Sequence, residues 1–173
     1  MDVFDAIKGR RSVRGYTSEA VSEKDIKKII DAATWAPSAG NTQSWEFIII
    51  RDVQIKRRLA AAALDQKFIM EAPVVIVVCA NESRSSQRYG QRGRSLYCLQ
   101  DSAAATQNIL LAAHALELGS CWIGAFHERE VGKILKTPLG VRPIAIIPIG
   151  HSAETPRPPS RRPKGSLVHS ESF

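Results

Sequence analysis

Cysteine is scarce in this chain, and what there is does not pair. Cys79, Cys98 and Cys121 are odd in number, far apart and each set in apolar sequence. That excludes a disulfide framework and a C-x-x-C metal or redox centre, and it leaves buried, inert thiols as the expectation. Histidine is nearly as sparse: His114, His127, His151 and His169 show no H-E-x-x-H or other paired spacing, so no metal site is expected. No G-x-S-x-G elbow occurs, which argues against a serine hydrolase. No G-x-G-x-x-G follows a strand and no G-x-x-x-x-G-K-[ST] exists, so a bound phosphate has to be held by something other than a glycine cradle. Gly90 and Gly93 in "YGQRG" have the wrong spacing for one. No apolar run approaches the roughly 18 residues of a membrane span, and "MDVFDAIKGRRSVRGY" lacks a signal-peptide core. A cytoplasmic protein with no membrane contact is the expectation. Aromatics are only 6% and lie in apolar sequence, which disfavours base stacking and therefore nucleic acid as a partner.

What is present in excess is arginine. The formal net charge is +7, with 24 Lys and Arg against 17 Asp and Glu in 173 residues. Such a balance can serve nucleic acid, an anionic surface or a phosphorylated small molecule. The arginines fall into three islands: Arg10, Arg11 and Arg14; then Arg84, Arg88, Arg92 and Arg94; then Arg157, Arg161 and Arg162. Three islands separated by apolar stretches can converge on one anion, because a guanidinium presents a planar fork that matches phosphate oxygens. In an extended "RRSVR", Ser12 joins Arg10 and Arg14 on one face while Arg11 points away.

A hydrophobic fraction of 44% and this length describe one domain with a real core. Asp2 caps a short helix through Lys8 that Gly9 ends, and Val3, Phe4 and Ile7 share a face. Ser22 and Asp25 open a second helix with Ile26, Ile29, Ile30 and Ala33 at helical spacing, which Pro37 stops. "WEFIIIR" (45–51) reads as a strand, Asp52 starts a helix to about Leu64, and "PVVIVVCA" (73–80) reads as a strand buried on both faces. Residues 81–94 have no period and read as a mobile loop. A helix from Ser95 to Leu118 is apolar almost all round, so it must be covered all round, in the centre of the fold or against a second subunit. Short strands at 120–126 and 143–150 flank a small helix at 128–136. The proline-rich tail beyond Gly150 reads as an extended, non-helical arm. On pattern alone this alternation predicts a doubly wound parallel sheet, but the nucleotide motifs that go with one are missing.

Between the second helix and the first strand stands "WAPSAGNTQSWEF", which packs amide and hydroxyl groups into one short turn flanked by two tryptophans. Taken with "RRSVRGY" before it, "DSAAATQNILLAAHALELGSCWIGAF" after it and "GHSAETPRPPSRRP" at the end, it resembles the nitroreductase-like family of FMN-dependent oxidoreductases, in order and over nearly the whole chain. The resemblance implies an α+β fold, a mixed and mainly antiparallel sheet surrounded by helices. It implies an interlocked homodimer, with residues 1–150 as the FMN-binding domain and 151–173 as an arm on the partner subunit. It implies FMN, with NADH or NADPH as reductant, and electron-poor acceptors such as nitroaromatics or quinones. The same motifs also fit members that remove halogens or cleave flavin.

Residue by residue, the resemblance implies that Pro37, Ser38, Ala39, Asn41 and Gln43 reach across the interface to the edge of the flavin bound mainly by the other subunit. Amide groups suit that edge, which alternates donors and acceptors. Arg10, Arg11, Ser12 and Arg14 match the family's N-terminal flavin motif. In that match Arg10 and Ser12 meet the phosphate or ribityl chain, and Arg14 lies near N1 and O2 of the ring. Ile123 and Gly124 match the strand-end residues whose backbone faces flavin N5. Arg161 closes the phosphate site, with Arg162 as the alternative if the register slips by one. The sequence departs from the family at Ser44, where proline is common, and at Lys164 and Gly165 in the tail. The 81–94 segment is short, so any lid is small, and Arg88, Tyr89 or Arg92 are candidates to contact an anionic substrate or the nicotinamide cofactor. No side chain is expected to act as a catalytic acid or base.

Overall fold

The structure, a computed structural model, describes residues 1–173. Helix α1 (Val3–Gly9) is capped by Asp2, whose carboxylate accepts from the amides of Phe4 and Asp5. Helix α2 (Glu23–Thr34) starts at Ser22, whose hydroxyl oxygen accepts from Asp25 N at 3.1 Å, and it buries Ile26, Ile29 and Ala33. Strand β1 (Trp45–Ile50) is followed by α3 (Val53–Ala62), capped by Asp52, and by the single turn α4 (Phe68–Glu71). Strand β2 (Val74–Asn81) leads into α5 (Glu82–Arg92), then a π-helical turn at Gly93–Tyr97 and the long α6 (Cys98–Ala115). The chain closes with β3 (Gly119–Ser120), α7 (Glu128–Leu135) and β4 (Val141–Gly150).

The sheet order is β1-β2-β4-β3 and every neighbouring pair is antiparallel. The parallel sheet that the alternation predicts is absent, and the α+β arrangement implied by the resemblance is what forms. One parallel bridge, Ser12 to Ser120, ties the arginine segment to β3. Strand β2 lies between β1 and β4, and its alternation is carried by apolar side chains on both faces. Val74, Ile76 and Val78 pack with Ile29, Ile109 and Ile147 under α2 and α6. Val75, Val77 and Cys79 pack with Leu59, Ile69, Val131 and Ile146 under α3 and α7. A fully buried isoleucine or valine contributes roughly 1.5–3 kcal/mol, so these two layers hold the sheet as a rigid base for the loops around it.

Three expectations are corrected. Residues 82–92 are helix α5, not loop: Asn81 caps it by accepting from Arg84 N at 2.9 Å. Its side chains are polar and only Ser85 is buried, so no apolar stripe announces it. The strand at 120–126 is reduced to Gly119–Ser120 plus an isolated bridge between Ile123 and Ile146. The tail is largely without regular structure but makes one 3-10 turn at Lys164–Ser166 directly after Pro163. No helix is long and apolar enough to cross a membrane.

Candidate functional site

The turn between α2 and β1 is built from its own polar groups. Ala39–Asn41 form one 3-10 turn, Gln43 N donates to Ser38 Oγ at 3.0 Å, and Asn41 N donates to Ser38 O at 3.0 Å. Gly40, Asn41 and Gln43 all adopt positive φ, at 54°, 56° and 48°. For residues with a Cβ that conformation costs roughly 1–3 kcal/mol each unless surroundings enforce it. They do. Asp101, at the start of α6 and only 5% exposed, accepts from Ala39 N at 3.0 Å, from Ser44 Oγ at 2.7 Å and from Thr42 Oγ1 at 3.4 Å. From the other side, Arg88 donates to Gly40 O at 2.7 Å and Arg84 to Gln43 O at 2.6 Å. Glycine suits position 40 because a side chain there would carry the cost of a positive φ and would have to displace the Tyr89 hydroxyl and the Arg88 guanidinium. Ser44, at the position where proline is common, fastens the turn through its buried hydroxyl. Pro37 and the side chains of Asn41 and Gln43 stay exposed, and neither amide side chain has a partner within the chain. Trp45 is core and Trp35 is 81% exposed, so the two flanking tryptophans have different roles.

The N-terminal arginines split differently from the alternation expected. Arg10 is still the cap of α1, its amide closing the last turn on Ala6 O, so the extended run begins one residue later. Arg10 and Arg11 therefore line the same cavity, about 520 Å³, with Val13, His114, Glu117, Ser120, Glu154 and Pro158 among the other walls. Ser12 and Arg14 lie outside it. Ser12 bridges to β3 beside Cys121, and Arg14 reaches over the Phe68 ring at 6.0 Å. In the cavity wall, Arg10 Nε and Ser120 Oγ are shut off from water and have no hydrogen-bond partner. Buried donors without partners are rare in folded proteins, and a pair of them in one basic wall fits an oxygen-rich anion such as a phosphate ester. Burial, with Arg10 and Arg11 adding repulsion, pushes the His114 imidazole below its ordinary value, so it is neutral there at neutral pH. The same segment is tied down by Glu154, whose Oε1 accepts from Arg14 N at 2.5 Å and Gly15 N at 3.2 Å. Tyr16, half-buried, adds a hydroxyl donating to Val13 O at 2.6 Å, and partial burial raises its pKa.

Ile123 and Gly124 are not equivalent. Ile123 exchanges both backbone hydrogen bonds with Ile146 at 3.0 Å, so its N–H has no capacity for a ligand. Gly124 N–H makes no bond in the chain, and a Cβ there would meet only Trp122 Nε1 at 3.9 Å. The space in front of it is open, so of the two residues only Gly124 can offer a main-chain donor to a planar ring. Arg161 is exposed and bonds only Ser160 O at 3.2 Å; a single chain brings neither it nor Arg162 to the Arg10 cavity. Arg88 is committed to Gly40 O, while Arg92 donates to the Tyr97 hydroxyl at 2.8 Å and lies over its ring. No group of three or more His, Cys, Asp or Glu side chains converges. All three cysteines are free and buried, and burial raises the pKa of each, that of Cys79 to about 12.

Asp101, Ser120 and Glu154 were not singled out by the sequence, which shows Arg84 only as one of an arginine island, not as a partner of the turn. Asp101 had the clearest signal, a lone acid among the apolar residues of α6. The others are placed by contacts 38 to 140 positions away along the chain.

Comparison with known proteins shows which family the chain is similar to. An Archaeoglobus fulgidus protein whose name couples NADH dehydrogenase with NAD(P)H nitroreductase is 41% identical over 132 residues, covering 76% of this chain and 72% of that one. An FMN reductase [NAD(P)H] of Bacillus subtilis is 28% identical over 185 residues, covering 99% and 74%. The solved structure of NfrA2 from B. megaterium superimposes with a TM-score of 0.93 at 28% identity, covering 100% of this chain and 76% of that one. The model of the nitroreductase family matches residues 7–68 and 62–151, nearly the whole body of the fold. The chain belongs to the nitroreductase family and is an oxidoreductase of that type.

Proposed function

We propose that two copies of this chain hold two FMN molecules at their interface in the cytoplasm and use NADH or NADPH to reduce electron-poor small molecules such as nitroaromatics or quinones. When bound there, FMN would supply two-electron redox chemistry between a nicotinamide and an electron-poor acceptor. The observation that carries the reading is the pair of buried, unpartnered donors, Arg10 Nε and Ser120 Oγ, in the wall of a basic cavity. Arg10 and Arg11 would hold the phosphate end, Ser12 the adjoining chain, and Arg161 of the arm would close that end from the partner subunit. Gly124 would offer its free N–H to the ring. Pro37, Ser38 and Ala39 shape the turn that presents the Asn41 and Gln43 amides. Arg14 places a cation where negative charge is favoured. No side chain is needed to move a proton.

A second subunit is supported by what one chain leaves uncovered. Val3, Phe4 and Ile7 on α1 are 60%, 66% and 52% exposed. Along α6, Ala103, Gln107, Leu111 and Ala115 form a stripe at four-residue spacing that the chain covers only in part. Every residue from Arg157 to Phe173 is exposed. Obligate pairs bury about 2,000 Å² or more, and these surfaces are of the kind that supply it.

The test is an absorption spectrum of the purified protein. Flavin bands that bleach on addition of NADH or NADPH are expected; a colourless protein that FMN does not reconstitute overturns the reading. Steady-state rates on nitroaromatic, quinone and haloaromatic compounds separate nitro reduction from reductive dehalogenation.

A further inference from the structure

The exposed amides of Asn41 and Gln43 sit on a backbone that is unfavourable by itself, and the groups enforcing it come from two helices. One is a buried carboxylate. Asp101 takes the turn's donors: the Ala39 amide and the hydroxyls of Thr42 and Ser44. The Ser44 hydroxyl is wholly buried, and Ser44 O in turn accepts from Asn81 N at 2.8 Å and Ser102 Oγ at 3.3 Å, which ties the turn to the end of β2 and to α6. Arg84 and Arg88 on α5 take the turn's acceptors, Gln43 O and Gly40 O. Arg84 is itself held by Glu46 at 2.5 Å. Donors are matched on one side and acceptors on the other, so the turn has one geometry available to it.

We propose that Asp101, through Ser44 and Ala39 and opposed by Arg84 and Arg88, is the positioning residue that fixes the Asn41 and Gln43 amides for the edge of the flavin ring. Ser44 here does by hydrogen bonding what a proline does by ring closure. The inference rests on the FMN reading above and adds to it the means by which the ring-edge contacts are preorganised. A ligand that meets a preformed edge does not have to order it. The contact concerns the ring, not the phosphate, and that gives the proposal a signature.

The experiment measures FMN and riboflavin affinity by fluorescence titration for the wild-type protein and the Asp101→Asn, Ser44→Ala and Arg88→Ala variants, with Arg10→Ala as the contrast. Melting of each flavin-free protein and visible circular dichroism of each complex are recorded alongside. Asp101→Asn is expected to weaken both ligands by about tenfold or more and by the same factor, and to change the visible dichroism of the bound ring. Ser44→Ala and Arg88→Ala do the same to a smaller extent. Arg10→Ala instead weakens FMN and leaves riboflavin nearly alone. Equal affinities in all three clamp variants overturn the proposal, as does a loss confined to FMN, or a loss that only follows a lowered melting temperature. Where Asp101→Asn does not fold, Ser44→Ala decides, and Arg88→Ala, at an exposed residue, decides if that fails as well. A wild-type protein that binds neither flavin overturns the functional reading itself, and the inference with it.

Discussion

The turn at 38–44 and the arm at 157–173 are both short, polar and proposed to meet the same ligand, yet they are held in opposite ways. In the turn, backbone donors and acceptors are matched inside one chain by Asp101, Arg84 and Arg88. In the arm, every side chain is exposed, and Arg161 reaches no further than Ser160 O. A segment whose few bonds are local, such as Ser166 to Pro163 O, and which buries no side chain gains little that offsets the entropy of ordering it, so it needs a surface supplied from elsewhere. The amide end of the site is preorganised by the fold, and the arginine closing its other end depends on assembly.

That contrast can be broken most forcefully by removing the arm. A chain ending at Pro156 is expected to be monomeric in sedimentation equilibrium where the full chain is a dimer. FMN affinity should fall by more than about 100-fold, because the partner's turn and arm leave together. Its flavin-free melting temperature should fall and lose its dependence on protein concentration, because the stability contributed by pairing goes with the arm, although no residue beyond Pro156 is buried within its own chain. A dimer that survives truncation with FMN bound contradicts the assignment of the arm.

Next in size is Arg10→Ala, which removes a guanidinium whose Nε is already desolvated. Hydrogen bonds to a charged group are worth about 2–3 kcal/mol together, or roughly 30- to 150-fold in FMN affinity by calorimetric titration. Two glycines sharpen the comparison between fold and site. Gly124→Ala adds a methyl to open space and is expected to leave the melting curve unchanged while cutting flavin affinity about tenfold. Gly119→Ala drives a Cβ to 2.7 Å from Val13 Cγ1 and is expected to lower the melting temperature by several degrees, about 1–3 kcal/mol of overpacking.

The smallest effect is a pH dependence. Burial, Arg10 and Arg11 hold His114 below 6.5, so just below that pH the unfolded chain binds more protons than the folded one. The stability it contributes is present above pH 6.5 and is lost as the pH falls through the folded value. His114→Gln should flatten this slope in denaturant titrations, and FMN should raise the His114 pKa seen by NMR, because a phosphate offsets the two guanidiniums.

Elements with an apolar period could be read from residues alone. Ile26, Ile29 and Ala33 place α2, the unbroken run from Val74 to Ala80 places β2, and Ser22 and Asp52 mark helix starts that the structure keeps. Helix α5 escaped because it is defined by what it holds, not by what it buries; its side chains face the 38–44 turn and solvent. The split between Arg10–Arg11 and Ser12–Arg14 escaped because α1 ends one residue later than alternation assumes. Ile123 and Gly124 are both candidates to present a backbone N–H, and only the pairing of Ile123 with Ile146 shows which amide is free.

Capping residues and hydrophobic period determined most of the helices and the two-sided central strand, and the ordered motifs carried the resemblance to the family, because each is a local property of the chain. Tertiary structure alone decided the β1-β2-β4-β3 strand order and register, the commitment of Asp101 to the turn and the desolvation of Arg10, because each depends on which distant groups meet once the core closes. A buried donor or carboxylate acquires its meaning from its neighbours, and those neighbours are fixed by packing across the whole fold.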